Sequence, residues 1–216
     1  RGTFVSLTEN FCSIGMEQPA GNKITGNPTS HPALSVKWVE DFPDIPLNRN
    51  EAYKLRVTSK GVEIEAITET GVYRAIQTLR QLTEKKGNGI AITGCEITDW
   101  PAFRIRGFMQ DVGRTYISTD ELKREIAILA RYKINVFHWH LTENQAWRLQ
   151  SKVFPMLNDS VNTTRQPGKY YTLEEARELA AFCKQHHVLL IPEIDMPGHS
   201  AAFVRTVRHD MQSPEG

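Results

Sequence analysis

The chain has 216 residues, 40% of them hydrophobic and 24% charged, close to the soluble globular average, which excludes a disordered or collagen-like polymer. Lys and Arg number 26 against 25 Asp and Glu, and with no dense basic run in a chain of net charge +1, nucleic acid is not expected as a partner. No stretch approaches the roughly 20 apolar residues needed to cross a bilayer, so no membrane partner is expected; the N-terminus lacks the charged and apolar regions of a signal peptide, but Arg1 rather than Met opens the chain, which leaves a removed leader open.

Residues 1–33 are rich in Gly, Pro, Ser, Thr and Asn and predict an irregular leader with at most one strand. From Tyr53 the pattern sharpens. Tyr53, Leu55 and Val57 alternate, Ser59-Lys60-Gly61 supplies a turn, and Val62, Ile64 and Ala66 alternate again, which predicts a β-hairpin. Val72, Ala75, Ile76, Leu79 and Leu82 then fall three and four apart, predicting a helix that ends around Lys85-Lys86-Gly87, followed by a short strand near residues 90–92. Residues 34–100 thus read as a small α+β domain whose helix covers one sheet face.

Asp99-Trp100-Pro101 marks the expected boundary, because proline restricts the residue before it. Beyond it, residues 101–216 change rhythm. Arg104–Asp111 reads as a strand; Ser118–Tyr132 as a helix with Ser118 and Glu121 as a capping box and Leu122, Ile126, Leu129 and Ala130 as its apolar face; Ile134–Leu141 as a second strand. Thr172 and Glu175 cap another helix, with Leu173, Ala176, Leu179, Ala180 and Cys183 inward, before the strand Val188–Ile194. This alternation implies an α/β fold with a parallel sheet and right-handed crossovers. A doubly wound sheet and a (β/α)8 TIM barrel both begin this way. No Gly-rich phosphate loop follows any strand, and each strand runs into polar residues at its C-terminal end, where barrels carry their chemistry, so the barrel is preferred. Cys12, Cys95 and Cys183 share no metal-binding spacing and are expected to be buried free thiols, and the sequons at Asn158 and Asn162 read as chance occurrences.

The polar ends of these strands hold Asp111, then Glu143 and Asn144, then Glu193, Asp195 and His199. Period-two alternation puts His138 and His140 on one face of the second strand, pointing into the barrel, and Phe137, Trp139 and Leu141 on the other, toward the helices. Two inward histidines offer either a divalent-metal site that makes hydroxide or a hydrogen-bonded core pair. Glu193 and Asp195 share a face, and a histidine beside a carboxylate is held in one tautomer. Arg106 reads equally as a clamp for a substrate oxygen or as the partner of a carboxylate. Trp147 lies above the inward histidines.

Three ordered segments, Arg106-Gly107-Phe108-Met109-Gln110-Asp111-Val112-Gly113-Arg114, Tyr132 to Thr142 and Pro192 to His199, closely resemble successive barrel motifs of glycoside hydrolase family 20, the β-N-acetylhexosaminidases. Gly71-Val72-Tyr73-Arg74 and its surroundings look like the auxiliary domain that precedes that barrel, so the resemblance spans roughly residues 34–216. It implies retaining hydrolysis of terminal β-linked N-acetylglucosamine or N-acetylgalactosamine, with the substrate's acetamido oxygen as nucleophile and no cofactor. It further implies a role for Arg106 on the sugar hydroxyls and for Glu143 and His199 in supporting the acid, with Asp111, His138, His140, Asn144, Trp147, Glu193 and Asp195 around them. Where the family usually has Asp-Asp-Gln, this chain has Glu143-Asn144-Gln145. The family's catalytic Asp-Glu pair follows a fourth strand; the Asp-Glu found here, Asp120-Glu121, reads instead as a helix first turn.

A whole barrel takes about 250 residues, and residues 101–216 suffice for three of its eight strands. The expectation is therefore a fragment, inactive alone and prone to self-association through the open barrel edge. A metal-dependent barrel hydrolase and a glycan-binding fragment using Arg106 and Trp147 stand as the alternative functions. By resemblance the address is periplasmic or extracellular.

Overall fold

The computed structural model describes residues 3–4, 33–86 and 89–212, and the chain divides into two compact units, Arg1–Arg104 and Ile105–Gly216. Apart from β1 (Thr3–Phe4), residues 1–32 of the expected leader, with Cys12, lie outside the described residues.

In the first unit, the expected hairpin forms as β3 (Tyr53–Thr58) and β4 (Gly61–Ala66), paired antiparallel. Tyr53, Leu55, Val57, Val62, Ile64 and Ala66 are all buried, as their alternation demands. Two strands that the sequence did not announce complete this sheet. β2 (Ala33–Trp38) joins β4 in parallel, and β7 (Cys95–Asp99) joins β3 antiparallel, giving the order β2-β4-β3-β7. Each supplies only two partly buried apolar residues to the core, Leu34 and Val36 or Cys95 and Ile97, too few to stand out as a pattern.

Helix α1 (Glu69–Gln81) covers the sheet with Val72, Ala75, Ile76 and Leu79, and the Thr68 hydroxyl caps it by accepting from the Gly71 amide. It stops at Gln81, short of the expected end near residues 85–87. Thr83–Lys86 forms β5 instead, because β6 (Gly89–Ile92) offers it an antiparallel ladder that satisfies the same backbone groups, and the Thr83 hydroxyl binds back to the Arg80 carbonyl. β6 pairs with β1 on its other side. Beneath the start of α1, Arg74 and Glu51 form an ion pair of 2.8 Å, with the Arg74 side chain buried.

The second unit is built from β8 (Gly107–Asp111), α2 (Thr119–Arg131), β9 (Val136–His140), α3 (Leu173–Gln185), β10 (Leu189–Glu193) and α4 (Ala201–Gln212). The strands are parallel and stand in sequence order, β8-β9-β10, and α2 and α3 pack side by side. Both expected capping boxes are present, Ser118 with Glu121 and Thr172 with Glu175. Both helices also end alike. Lys133 and His187 take positive φ (63° and 52°); the Lys133 and Ile134 amides bind the Ala130 and Leu129 carbonyls, and the His187 and Val188 amides bind those of Lys184 and Cys183. These are Schellman endings, made here with Lys and His where glycine is usual. They turn the chain into β9 and β10.

Phe137, Trp139 and Leu141 are buried on one face of β9, with Trp139 against Tyr171 at 4.7 Å between ring centroids. Leu122, Ile126, Ala130, Leu179 and Cys183 are buried as expected, but Ala180 is exposed, so the buried stripe of α3 is narrower than its sequence suggests. Each strand is shorter than predicted, because the flanking residues leave the ladder for the helix endings and the polar loops.

Gly71 lies in α1, where alanine ordinarily adds about 1 kcal/mol. Here a Cβ would sit 2.5 Å from the Ala52 carbonyl oxygen, a backbone atom that cannot swing away. Gly71→Ala should therefore lower the midpoint of thermal unfolding, whereas a rise would show that α1 is free to move off the Ala52 segment.

Candidate active site

Parallel pairing in register sets three residues in one row at the C-terminal ends of the strands: Asp111 opposite His140, and His140 opposite Glu193. The row below holds Met109, His138 and Ile191. Alternation thus turns Asp111, His138, His140 and Glu193 to the face away from buried Phe137 and Trp139, as expected. Glu193 Oε2 accepts from both imidazoles, His138 Nε2 at 2.6 Å and His140 Nδ1 at 2.9 Å. Burial pushes the Glu193 carboxyl up, but the hydrogen bond and charge of His140, joined by those of His138, outweigh it and its net pKa is lowered.

Above this row the chain leaves the sheet in three short loops that converge. After β8, the amides of Val112 and Gly113 both bind the His140 carbonyl, which bends Arg114 over the loop that follows β9. Gly113 permits the approach: a Cβ there would lie 2.8 Å from Glu143 Cβ. Arg114 pairs with Asp111 and with Glu143, and Glu143 also meets His199 Nδ1. Glu143 itself is 1% exposed, a buried carboxylate held between a guanidinium and an imidazole. His199 Nδ1 lies against Glu143 Oε1 and is also approached by Arg114 Nη2 at 3.4 Å, while Nε2 turns toward Asp195 Oδ2 at 4.0 Å.

His199 follows the cis Met196–Pro197 peptide and Gly198, and its own φ of 52° is in the left-handed region, which swings the ring back over the sheet. The Asp195 amide donates to the Thr142 hydroxyl at 2.9 Å, tying the third loop to the second. Burial pushes the Asp111 carboxyl up, yet the backbone amide, guanidinium bond and charge of Arg114 bring its pKa down overall; Arg114 is raised, chiefly by its bond to Asp111.

Of the other residues singled out from the sequence, Asn144 meets this cluster only through its backbone amide, which donates to Glu143 Oε2, and Trp147 stands aside from it. Asn144 is exposed; its Oδ1 accepts from the Ala201 amide at the start of α4 and its carbonyl from Arg205. Trp147 donates its indole N–H to the Leu149 carbonyl and packs near Phe203.

The expectation for Arg106 is corrected by strand direction. Arg106 precedes β8, at the end of the sheet opposite the converging loops, and its Nε donates to the Lys133 carbonyl at 2.8 Å while its amide binds Asn135 Oδ1. The arginine at the rim is Arg114, which sits in the same motif eight residues on. The signal was available: a residue before a parallel strand and one after it lie at opposite ends.

A second arginine escaped notice. Arg148 is fully buried and donates to four backbone carbonyls, those of Val112, Arg165, Gln166 and Lys169. Its bond to Val112 pins the bend between Asp111 and Arg114. Burial lowers the pKa of its guanidinium.

Among the described residues a divalent cation would be held most readily by His140, Glu193 and Asp195, one ligand atom of each lying within 4.8 Å of the others. The rim as a whole can bind a neutral polyhydroxylated ligand through Arg114 and hold charge beside a proton-transferring group through Glu143 and His199.

The family model described as "Glycosyl hydrolase family 20, domain 2" matches residues 15–100, and that described as "Glycosyl hydrolase family 20, catalytic domain" matches residues 103–214. The chain is 37% identical over 199 residues to a beta-hexosaminidase of Porphyromonas gingivalis, covering 86% of this chain and 24% of that one. It is 37% identical over 170 residues to the beta-hexosaminidase of Vibrio furnissii, covering 72% and 28%. Among solved structures, an exo-β-N-acetylglucosaminidase of Vibrio harveyi in complex with N-acetylglucosamine aligns with a TM-score of 0.72 at 34% identity, over 85% of this chain and 30% of that one. A mutant Streptomyces plicatus beta-hexosaminidase in complex with product (GlcNAc) aligns with a TM-score of 0.72 at 33% identity, over 80% and 36%. This chain therefore spans about a quarter to a third of the length of these relatives.

Arg148→Met should cost several kcal/mol, since each stranded carbonyl costs about 1–3 kcal/mol, and Arg148→Lys should recover part of it; urea unfolding of the two variants measures this. The lowered carboxyls set the pH dependence. Asp111 and Glu193 contribute stability that is fully present above the ordinary carboxylate range and is lost as pH falls through their depressed values. Glu193→Gln should flatten the acid limb of thermal stability measured below about pH 5.

Proposed function

Because this chain belongs to glycoside hydrolase family 20, we propose that residues 34–100 form the auxiliary domain, and 101–216 the first three strands of the catalytic barrel, of a retaining β-N-acetylhexosaminidase. The observation that carries the reading is buried Glu143, held by Arg114 and His199 at the C-terminal ends of parallel strands. That end carries the chemistry in (β/α)8 barrels.

The unfinished barrel is supported by what the strands expose. Leu189 and Ile191 on β10 and Met109 on β8 share the face of the inward histidines and are exposed, as residues that further strands would cover are in an open sheet. Sequential strand order and side-by-side helices favour a closing barrel over a doubly wound sheet, where the order reverses.

In the proposed reaction the acetamido oxygen of a terminal N-acetylhexosamine attacks its own anomeric carbon, as the leaving oxygen takes a proton from a general acid. Arg114 donates to hydroxyls of that sugar while Asp111 and Glu143 hold the guanidinium fork in place. Glu143 and His199 form a relay whose Nε2 end is open to the acid, and their paired charge tunes it. Glu143 performs here the part that a one-methylene-shorter aspartate usually performs in the family. The acid and the acetamide-orienting carboxylate are not assigned to these 216 residues: Glu121 of Asp120-Glu121 is spent on the Ser118 capping box. A glycan ending in N-acetylhexosamine is the substrate, and a periplasmic or extracellular address suits glycan breakdown. The open sheet edge of the 216-residue piece by itself favours self-association.

Hydrolysis of a chromogenic N-acetyl-β-glucosaminide tests this, comparing the 216-residue chain with the full-length protein that carries it. The long form should turn over and the short one should not. Turnover by the short form would place the acid within these residues, and a full-length protein that cleaves plain glucosides as readily would remove the acetamido mechanism. In the full-length protein, Arg114→Ala should lower kcat/KM by at least about tenfold, from the loss of charge-assisted bonds of about 1.5–3 kcal/mol each. Arg106→Ala should leave KM unchanged, because its side chain faces the other end of the sheet.

A further inference from the structure

We infer that Gln166, on the long connection between β9 and α3, is a positioning residue for Arg114: its side chain holds the segment after β8 where the guanidinium meets Glu143. What Arg114 binds rests on the hydrolase reading; how Arg114 is held rests on the geometry of this chain alone.

Residues 112–117 follow β8 and belong to no strand or helix, so no ladder fixes them. Their backbone groups are held one at a time instead. The Val112 and Gly113 amides donate to the His140 carbonyl, and the Arg114 amide donates to Asp111 Oδ1 at 3.0 Å. Those bonds fix the near side of Arg114. On the far side, the Tyr116 amide donates to Gln166 Oε1 at 2.6 Å, and the Ile117 carbonyl accepts from the Tyr171 hydroxyl at 2.5 Å.

Gln166 is exposed, and its φ of 51° is a left-handed conformation that glycine and asparagine adopt readily and glutamine does not. Buried Arg148 holds it there. Its Nη1 donates to the Gln166 carbonyl at 3.2 Å and to that of Lys169 at 2.7 Å, while Nε of the same guanidinium reaches the Val112 carbonyl at 3.1 Å. One arginine thus supports the Arg114 segment twice, directly two residues before Arg114 and through Gln166 two residues after it. The Tyr116 ring agrees with this placement, stacked on Tyr171 at 4.9 Å between centroids with Lys169 Nζ 5.9 Å from its centre. A guanidinium that must meet Asp111, Glu143 and then a sugar hydroxyl tolerates little displacement, since a misplacement of about 1 Å can cost about a hundredfold in rate.

In the full-length protein, Gln166→Ala and Gln166→Asn should each lower kcat/KM on a chromogenic N-acetyl-β-glucosaminide by about three- to tenfold, the worth of one hydrogen bond. Asparagine suits the left-handed backbone and only draws the oxygen back by a methylene, so a fall common to both variants belongs to the bond. Gln166→Glu keeps an acceptor at the same reach and should recover most of the loss. Combined with Arg114→Ala, Gln166→Ala should change kcat/KM by no more than about twofold further, because the group it positions is gone. Equal losses in the two backgrounds, as a merely structural role would give, or full activity in both Gln166→Ala and Gln166→Asn, overturn the assignment. Deuterium exchange across residues 112–118 reads the tether without any turnover: it should quicken in Gln166→Asn and stay slow in Gln166→Glu. Should the unaltered full-length protein not hydrolyse the substrate, the hydrolase reading falls and exchange still decides the tether, with unchanged exchange in Gln166→Asn overturning it.

Discussion

A carboxylate that is 1% exposed must be matched by positive charge or lose its own. Glu143 meets that condition with Arg114 on one side and His199 on the other, and these three residues come from the ends of three different strands. The match therefore requires β8, β9 and β10 to be parallel, in register and correctly ordered before the charge can be buried. Gly113 removes the side chain that would keep the first loop off Glu143, and Arg148 holds the same loop from beneath through the Val112 carbonyl. Fold and site are one constraint here: a strand slip of one residue would turn Asp111, His140 and Glu193 to the opposite face and leave Glu143 unpaired.

Two layers of polar contact result, and they differ in what they leave open. In the upper layer, Asp111, Arg114, Glu143 and His199 share charges in a compact group whose exposed members, Arg114 and His199, face outward. In the lower layer, one oxygen of Glu193 accepts from two histidines, which fixes both tautomers and leaves His140 Nε2 unsatisfied. The upper layer suits recognition of hydroxyls and modulation of a neighbouring acid. The lower layer holds both histidines of β9 against the end of β10. Both properties follow from the same placement of histidines and carboxylates at strand ends.

The two helical connections of the second unit show how little the chain relies on glycine for this geometry. Each begins with a capping box and ends with a Schellman turn, at Lys133 and His187. The capping boxes were legible because Ser or Thr followed three residues later by Glu is a local pattern. The endings were not, since Lys and His give no sign of a left-handed residue; it is the half-buried Ile134, the buried Val188 and the following strands that hold them there. The exposed Ala180 has the same lesson: helical periodicity says which residues share a face, but the width of the buried stripe depends on what lies against it.

The sequence by itself determined the element types, the two inward histidines of β9, the six buried residues of the hairpin and the motif segments that place the chain in its family, because each is a matter of spacing within a few residues. It did not reveal β2, β7 or the early end of α1, whose existence depends on ladder partners far along the chain. Nor did it separate Arg106 from Arg114. Both lie in one nine-residue motif, and only the direction of β8 within a parallel sheet puts one at the silent end and the other beside Glu143. The tertiary structure decided those points because a hydrogen-bond ladder and a buried charge are satisfied between segments, where spacing along the chain carries no information about which partner arrives.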